Sequence, residues 1–353
     1  MKNNIYILGI ESSCDESAAS VVFANKKKKE IKVKSNVISS QIKLHAKYGG
    51  VVPELAAREH VYKLLPTIDT ALKEAGKTIK EIDLIAVSEG PGLVTSLLTG
   101  VETARTLAYA NNIPVLGVNH IHGHLYAPFI NNWKDIKFPA VVLTVSGGHS
   151  NIVLMESELK YRKLGSTRDD AAGEAFDKGA KMMSLGYPGG PIISKKAQEF
   201  EKSKKKQSLE DFPRPMKHSD NLDFSFSGLK TSLLYRLKKD KNWKKHINEY
   251  SYLYQEAIID VLITKTIKAA KKHGAKSVLL SGGVSANIKL REELTKKAQE
   301  NYLQVFISDL QYTTDNAAMI AAASVFNKKI KDKASLSRLK DSWKLVSVQE
   351  NLD

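Results

Sequence analysis

The chain has 353 residues, of which 42% are hydrophobic, enough to fill one large core or two ordinary ones, and this excludes a wholly disordered protein. Its 54 lysines and arginines exceed its 38 aspartates and glutamates, and the resulting formal charge of +16 favours a partner that carries phosphates. Cys14 is the single cysteine, which excludes a disulfide framework and favours a reducing, cytoplasmic location. No apolar stretch reaches the roughly 18 residues of a membrane span.

The first third of the chain alternates strand and helix signals. Short apolar runs predict strands, and longer runs with a helical period predict helices. In chain order these elements are strands at 5–11, 17–24 and 30–40, a helix at 54–74, a strand at 83–88, a helix at 95–111 and a strand at 114–119. Strands separated by helices imply parallel crossover connections.

The same order then recurs. Strands are predicted at 139–146, 151–156 and 160–164, followed by helix 171–185, helix 251–273, strand 277–281, helix 286–300, strand 304–308 and helix 315–327. We therefore expect an α/β fold of two related lobes with a cleft between them. The expected domains are 1–135, 136–327 with a Lys-, Ser- and Pro-rich insertion around 200–245, and a partly ordered basic tail at 328–353.

Three histidines follow the strand predicted at 114–119. On a helix capped by Asn119, His120 and His124 share one face and can present two nitrogens to one cation, whereas His122 points away. The alternative is a polar helix start without a ligand. A zinc peptidase needs glutamate directly after the first histidine, and Ile121 at that position argues against it.

A third ligand must come from elsewhere in the chain, and Asp315 is the best candidate. It lies in the segment Thr313-Thr314-Asp315-Asn316, directly before an apolar helix. Two histidines and one carboxylate suit iron(II) or zinc. The alternative for Asp315 is a simple helix cap.

Glycine pairs follow two apolar strands, in Ser146-Gly147-Gly148 and Ser281-Gly282-Gly283, and residues 187–191 contain a third pair. Glycine lets backbone N–H groups approach phosphate oxygens, so the recurrence favours a nucleotide cradle over ordinary tight turns. Four polar residues complete the candidates: Asp15 and Glu16 in the first turn, Asp177 for a ribose, and Asn287 as a helix cap or base contact.

Motifs along nearly the whole chain resemble the TsaD family of tRNA threonylcarbamoyl-adenosine transferases. They are 9–16, 49–54, 90–93, 119–124, 169–178, 223–230, 281–287 and 314–319. The resemblance implies two duplicated RNase H-like lobes of the actin/sugar-kinase/Hsp70 (ASKHA) type. It implies His120, His124 and Asp315 as metal ligands. It implies nucleotide and substrate contacts at Thr144, Val145, Ser146, Gly147, Gly148, Asp177, Gly190 and Asn287.

The implied reaction moves a threonylcarbamoyl group from its adenylate to the adenosine beside the anticodon (position 37) in tRNAs that read codons starting with A, and AMP leaves. One divalent metal per chain is implied, with Fe2+ favoured over Zn2+, together with ATP, ADP or an adenylate in the cleft. Implied protein partners are a TsaB-like paralogue, a TsaE-like ATPase and a TsaC-like synthase. Asp15 or Glu16 is our hypothetical proton acceptor.

Two departures from the family pattern are His122, where an acid is common, and Thr95, where a small residue is common. Neither removes a ligand. Two other functions remain open at this point because a fold does not fix a function. A small-molecule kinase would hold hydrated magnesium through carboxylates and phosphates rather than histidines. A non-catalytic ATP-dependent scaffold would bind nucleotide without forming a tRNA product.

Overall fold

The computed structural model describes residues 4–330, 332–339 and 341–350. The strands in these residues are β1 (Asn4–Glu11), β2 (Glu16–Asn25), β3 (Glu30–Ser40), β4 (Leu84–Gly90), β5 (Val115–Asn119), β6 (Ala140–Val145), β7 (Ser150–Ser157), β8 (Lys160–Ser166), β9 (Ser277–Ser281) and β10 (Gln304–Ile307). The helices are α1 (Ile42–His45), α2 (Pro53–Glu74), α3 (Val94–Asn111), α4 (His120–Tyr126), α5 (Ala172–Met182), α6 (Gly189–Lys202), α7 (Ser227–Lys239), α8 (Ile247–Lys272), α9 (Ile288–Gln299), α10 (Ala317–Val325) and α11 (Lys333–Leu336).

The chain divides into two compact units, one formed by residues up to 136 together with those from 308 onward, the other by 137–307. The first unit holds a sheet of order β3-β2-β1-β4-β5, and the second a sheet of order β10-β9-β6-β7-β8. In each sheet the first three strands in sequence are antiparallel neighbours, and the last two join them in parallel. The predicted duplication of an α/β unit is confirmed.

Helices pack against the sheet of the first unit and bury side chains of its strands. Strand β1 buries Ile7, Leu8 and Ile10, and α10 packs against β1 and β2. All nine residues of α10 are buried, as expected for a helix that is apolar on every side. A Cβ at Gly9 would overlap the Ala317 carbonyl oxygen, so glycine lets α10 lie directly on the strand.

The unit boundaries differ from those we expected. The expected second lobe ran to residue 327, but α10 packs on the first sheet and therefore belongs to the first unit. The apolar pattern of α10 identifies a buried helix correctly, but an apolar helix can cover either sheet equally well. The second unit is consequently a continuous segment inserted into the first.

The C-terminal segment, expected as a partly ordered basic tail at 328–353, packs more closely than we expected in its described residues. Val346 is buried in the core of the first unit, and Trp343 makes an edge-to-face contact with Tyr109 of α3. The backbone N–H of Gln349 donates to the Glu89 carbonyl oxygen at 2.7 Å. The described part of the tail is therefore docked on the first unit.

In the second unit, α8 lies at the centre of the core and contacts α6, α7 and α9. The expected insertion contains one regular helix, α7, and the loop before it is tied to α8. Glu249 accepts hydrogen bonds from the Ser208 and Leu209 backbone N–H groups, and the buried Lys265 donates to the Ser219 hydroxyl at 2.9 Å. None of the helices in the described residues is both long and apolar enough to span a membrane.

Candidate metal centre and glycine turns

The histidine motif stands where β5 ends, at the carboxyl edge of the parallel strands β1, β4 and β5. Ligand sites in open α/β sheets commonly form at this edge. The Asn119 side chain accepts from the backbone N–H groups of Ile121 and His122 at 2.7 and 3.1 Å, which caps α4 as predicted. His120 and His124 are then one turn apart on the same face, and both are buried.

Asp315 joins the two histidines just before α10. The candidate ligand atoms of the three residues lie within 4.8 Å of one another, and they are the one such group among the described His, Cys, Asp and Glu residues. The Asp315 Oδ1 atom lies 3.4 Å from Nε2 of His120 and 3.2 Å from Nε2 of His124. Both imidazoles therefore direct their Nε2 atoms at one carboxylate.

The chemistry of these side chains fits a divalent transition metal. Two imidazole nitrogens and one carboxylate form a donor set suited to iron(II) or zinc. Both ring nitrogens of the fully buried His124 lack a hydrogen-bond partner of good geometry, and a buried polar atom left so is costly unless something else satisfies it. A cation bound between the three side chains would satisfy Nε2.

Glu11, the last residue of β1, supports His120 from the other side of its ring. Its Oε2 atom lies 2.9 Å from His120 Nδ1, and Ser13 Oγ lies 3.1 Å from the same nitrogen. Burial disfavours the carboxylate of Glu11, but the charge and hydrogen bond of His120 outweigh burial and lower its pKa. Sequence reasoning missed Glu11, although an acid that ends an apolar strand was a visible signal.

The electrostatics of the centre favour positive charge. Burial alone would lower the pKa of His120, but the Glu11 and Asp315 carboxylates raise it well above its ordinary value. The pKa of Asp315 is held far below its ordinary range, because the two histidines outweigh the effect of its burial. The carboxylates of Glu11 and Asp315 thus supply negative charge that would stabilise a bound divalent cation.

Asp15 lies between β1 and β2 in the same unit, Glu16 is the first residue of β2, and both are buried. Burial and the neighbouring carboxylates of Asp15 and Asp315 raise the pKa of Glu16 to about 9. Glu16 Oε1 accepts a hydrogen bond from the Ser40 hydroxyl at 2.9 Å. Glu16 is therefore protonated at neutral pH, which leaves Asp15 as the better of the two candidate proton acceptors.

The glycine-turn candidates all lie in the second unit. Thr144 and Val145 end β6, and Ser146, Gly147 and Gly148 form the turn into β7. The start of α5 rests on this turn, since the Gly173 N–H donates to the Ser146 carbonyl at 3.1 Å. A Cβ added at Gly147 or Gly148 would meet no atom within 4 Å, so the turn is open to an approaching ligand.

A second glycine turn ends the neighbouring strand β9. Thr144 stands opposite Ser281 in the parallel pairing of β6 and β9, with their hydroxyl oxygens 3.3 Å apart. Gly282 has a φ of +86°, and a Cβ there would overlap the Val145 carbonyl oxygen. The two glycine turns therefore meet at the carboxyl edge of this sheet, the usual place for a bound ligand.

Three residues that we expected to contact nucleotide or substrate also take part in the helix starts of the second unit. Asp177 Oδ1 accepts from the Gly189 N–H at 2.7 Å, and burial raises the pKa of Asp177 despite bonds from Gly189 and Gly190. Gly190 lies in the first turn of α6, because the expected third glycine turn is a helix start. Asn287 caps α9 by accepting from the Leu290 N–H at 3.1 Å.

The paired five-stranded units define an α/β protein of the ASKHA type. Solved structures with low sequence identity share the fold. HypF of T. kodakarensis superposes with a TM-score of 0.59 at 14% identity, covering 95% of this chain and 49% of that one. Component A of the (R)-2-hydroxyglutaryl-CoA dehydratase of Acidaminococcus fermentans has a TM-score of 0.52 at 16% identity, covering 93% of this chain and 100% of that one.

The family model for TsaD, tRNA N6-adenosine threonylcarbamoyltransferase, matches residues 32–322, and the chain belongs to this family. A relative of that name from Caldicellulosiruptor saccharolyticus is 46% identical over 333 residues, covering 93% of this chain and 94% of the relative. One from Clostridioides difficile is 48% identical over 327 residues, covering 92% and 94%. The protein is therefore a tRNA-modifying transferase, which decides against the kinase and the scaffold.

Proposed function

We propose that this transferase takes its threonylcarbamoyl group from threonylcarbamoyl-adenylate and delivers it to N6 of the adenosine beside the anticodon (position 37), in tRNAs that read codons starting with A. The N6 nitrogen attacks the carbamoyl carbon, a new N–C bond forms, and the bond from that carbon to the adenylate phosphate oxygen breaks. The electron pair leaves with AMP. The observation that carries the proposal is the group formed by the buried His120 and His124 and the half-buried Asp315 in a chain of this family.

His120, His124 and Asp315 hold the metal in this proposal, one ion per chain, with Fe2+ favoured and Zn2+ as the alternative. The chemistry that a divalent cation supplies at such a site is Lewis-acid polarisation of a carbonyl oxygen. His120 and His124 on α4 and Asp315 just before α10 would hold the ion. Rigid placement matters because a neutral aromatic amine is a weak nucleophile and depends on good positioning.

Asp15 accepts the proton that N6 loses. Glu16 is the less suitable base, because a carboxyl group that already carries a proton at neutral pH cannot accept the proton from N6. An Asp15→Asn variant should lose product formation, and Glu16→Gln should retain more of it. Equal loss in both variants would refute this division of roles.

The adenylate or free nucleotide contacts the glycine turns of the second unit. The exposed residues Gly147 and Gly148 offer backbone N–H groups without a Cβ in the way, and Thr144, Val145 and Ser146 place them at the end of β6. Asp177, Gly190 and Asn287 border this region in the proposal, although their side chains or backbones also serve α6 and α9.

The proposed partners are tRNA, a TsaB-like paralogue, a TsaE-like ATPase and, as supplier of the adenylate, a TsaC-like synthase. The exposed lysines at 204–206 offer one surface for tRNA phosphates. The cytoplasmic location expected from the single cysteine stays a prediction.

The test combines the protein with threonylcarbamoyl-adenylate, the helper proteins and tRNA, and identifies the modified nucleoside by mass spectrometry. We expect product with the native chain and none with a His120→Ala, His124→Ala double variant, which should also lose its metal by elemental analysis. His122→Ala is the matched control, since His122 lies on the same helix outside the ligand group. Equal metal content in the double variant and the control would overturn the assignment.

A further inference from the structure

Behind the candidate metal ligands lies a second layer of hydrogen bonds that converges on one residue, Glu11. Its side chain is fully buried at the end of β1. Oε1 accepts from the Ser13 backbone N–H at 2.6 Å and from the Ser88 hydroxyl at 3.0 Å. Oε2 faces Nδ1 of His120 at 2.9 Å. Each carboxylate oxygen therefore has a partner, and the side chain is locked in one orientation.

The three strands involved explain why this arrangement is rigid. Strands β1, β4 and β5 are consecutive parallel neighbours, and they carry Glu11, Ser88 and the start of α4 respectively. Glu11 and Ser88 both lie on strands of this sheet, so the hydrogen bonds of the sheet restrict their movement relative to His120.

We propose that Glu11 is a positioning residue for the metal centre: its carboxylate accepts the Nδ1 proton of His120 and so reserves Nε2 of that ring, which lies towards Asp315, as the nitrogen that binds the metal. The tautomer is inferred from the network, because a carboxylate at Nδ1 can only accept. This inference rests on the proposed function, in which His120 and Asp315 hold a metal. Glu11 itself lies outside the ligand group.

The two histidine ligands differ in the hydrogen bonds of their Nδ1 atoms. His120 has a carboxylate on its Nδ1 atom, whereas Nδ1 of His124 is buried without a hydrogen-bond partner. A carboxylate behind an imidazole ligand fixes the ring and increases its basicity, and loss of such a partner typically weakens metal affinity by roughly 10- to 100-fold. We therefore expect the contribution of His120 to metal affinity, unlike that of His124, to depend on a neighbouring carboxylate.

The experiment measures Zn2+ affinity by competition with a chromophoric chelator, using the full chain. Glu11→Gln keeps the shape of the side chain but removes its charge, and we expect roughly 10- to 100-fold weaker Zn2+ binding. The matched control is Glu249→Gln, a buried glutamate that accepts backbone hydrogen bonds in the second unit and should leave affinity unchanged. A visible spectrum of the Co2+-loaded variant should also change, because the His120 ligand is altered.

The outcomes separate this inference from the proposed function. If Glu11→Gln binds Zn2+ like the native chain while the His120→Ala, His124→Ala double variant does not bind, the positioning role is wrong and the metal centre stands. If the double variant binds normally, the metal centre itself is wrong. Should Glu11→Gln fail to fold, Ser88→Ala removes one of the bonds that hold Glu11, and a smaller loss of affinity is expected. Native affinity in Ser88→Ala would then count against the role.

Discussion

Gly147, in the turn after β6, and Gly173, which packs against that turn, should differ strongly in how much a substitution by alanine lowers stability. At Gly173, in the first turn of α5, a Cβ would lie 2.6 Å from the Ser146 carbonyl oxygen and 2.8 Å from the Gly147 Cα. Both neighbours are backbone atoms, so the turn or the helix must shift. At Gly147 a Cβ would meet nothing within 4 Å. A side chain should therefore lower stability at Gly173 but not at Gly147.

The expected cost follows from these distances. Forcing an extra carbon into a packed site costs about 1–3 kcal/mol, so Gly173→Ala should lower Tm by roughly 2–12 °C for a unit of this size. Gly147→Ala should stay within about 0.5 kcal/mol of the native chain. Gly147→Val should fold but weaken AMP binding by roughly 10- to 150-fold, because side-chain bulk keeps phosphate from the backbone N–H groups.

The assays are thermal unfolding followed by circular dichroism and titration calorimetry with AMP. A native Tm for Gly173→Ala would refute the close approach of α5 to the turn. Unchanged AMP affinity in Gly147→Val would show that the turn serves the fold alone, and the adenylate would have to bind elsewhere.

Three further predictions concern other parts of the chain. Changing the lysines at 204–206 to glutamate should weaken tRNA binding most at low salt, as measured by filter binding across a salt titration. Asp315→Ala should leave tRNA binding in the same assay nearly intact but abolish the modified nucleoside detected by mass spectrometry. Trp343→Ala should cost at least about 0.5–1.5 kcal/mol in urea unfolding through its lost contact with Tyr109, against almost nothing for the exposed Leu345→Ala. Because the pKa of Glu16 is raised to about 9, its contribution to stability is present below pH 4.5 and is lost as pH rises towards 9. The stability of Glu16→Gln relative to the native chain should therefore increase from pH 5 to pH 9 in urea unfolding, and a constant difference would contradict the raised pKa.

Local periodicity was enough to predict most of the fold. The strands of both sheets appear within a few residues of their predicted bounds, and the spacing of His120 and His124 on a capped helix needs only helical geometry. Asp315 could be chosen because it stands between a strand and an apolar helix. Such features are local, so a single sequence contains them.

Features set by distant contacts were missed. The sequence predicts a third glycine turn at 187–191, but the Gly189 N–H donates to Asp177 and Gly189 and Gly190 start α6. The lysine-rich tail gave no helical or strand period, yet its few apolar residues, among them Val346, dock on the first unit. Neither partner can be identified from a neighbouring stretch of sequence.

The insertion of the second unit into the first has a consequence for the order of events during synthesis. Residues 137–307 form one continuous segment, so this unit can collapse as soon as it leaves the ribosome, while the first sheet still lacks the helix that covers it. His120 and His124 are made early, but Asp315 follows only after the whole second unit. The three proposed ligands therefore coexist only after the second unit has been synthesised, and a metal held by all three would bind after that step rather than before it.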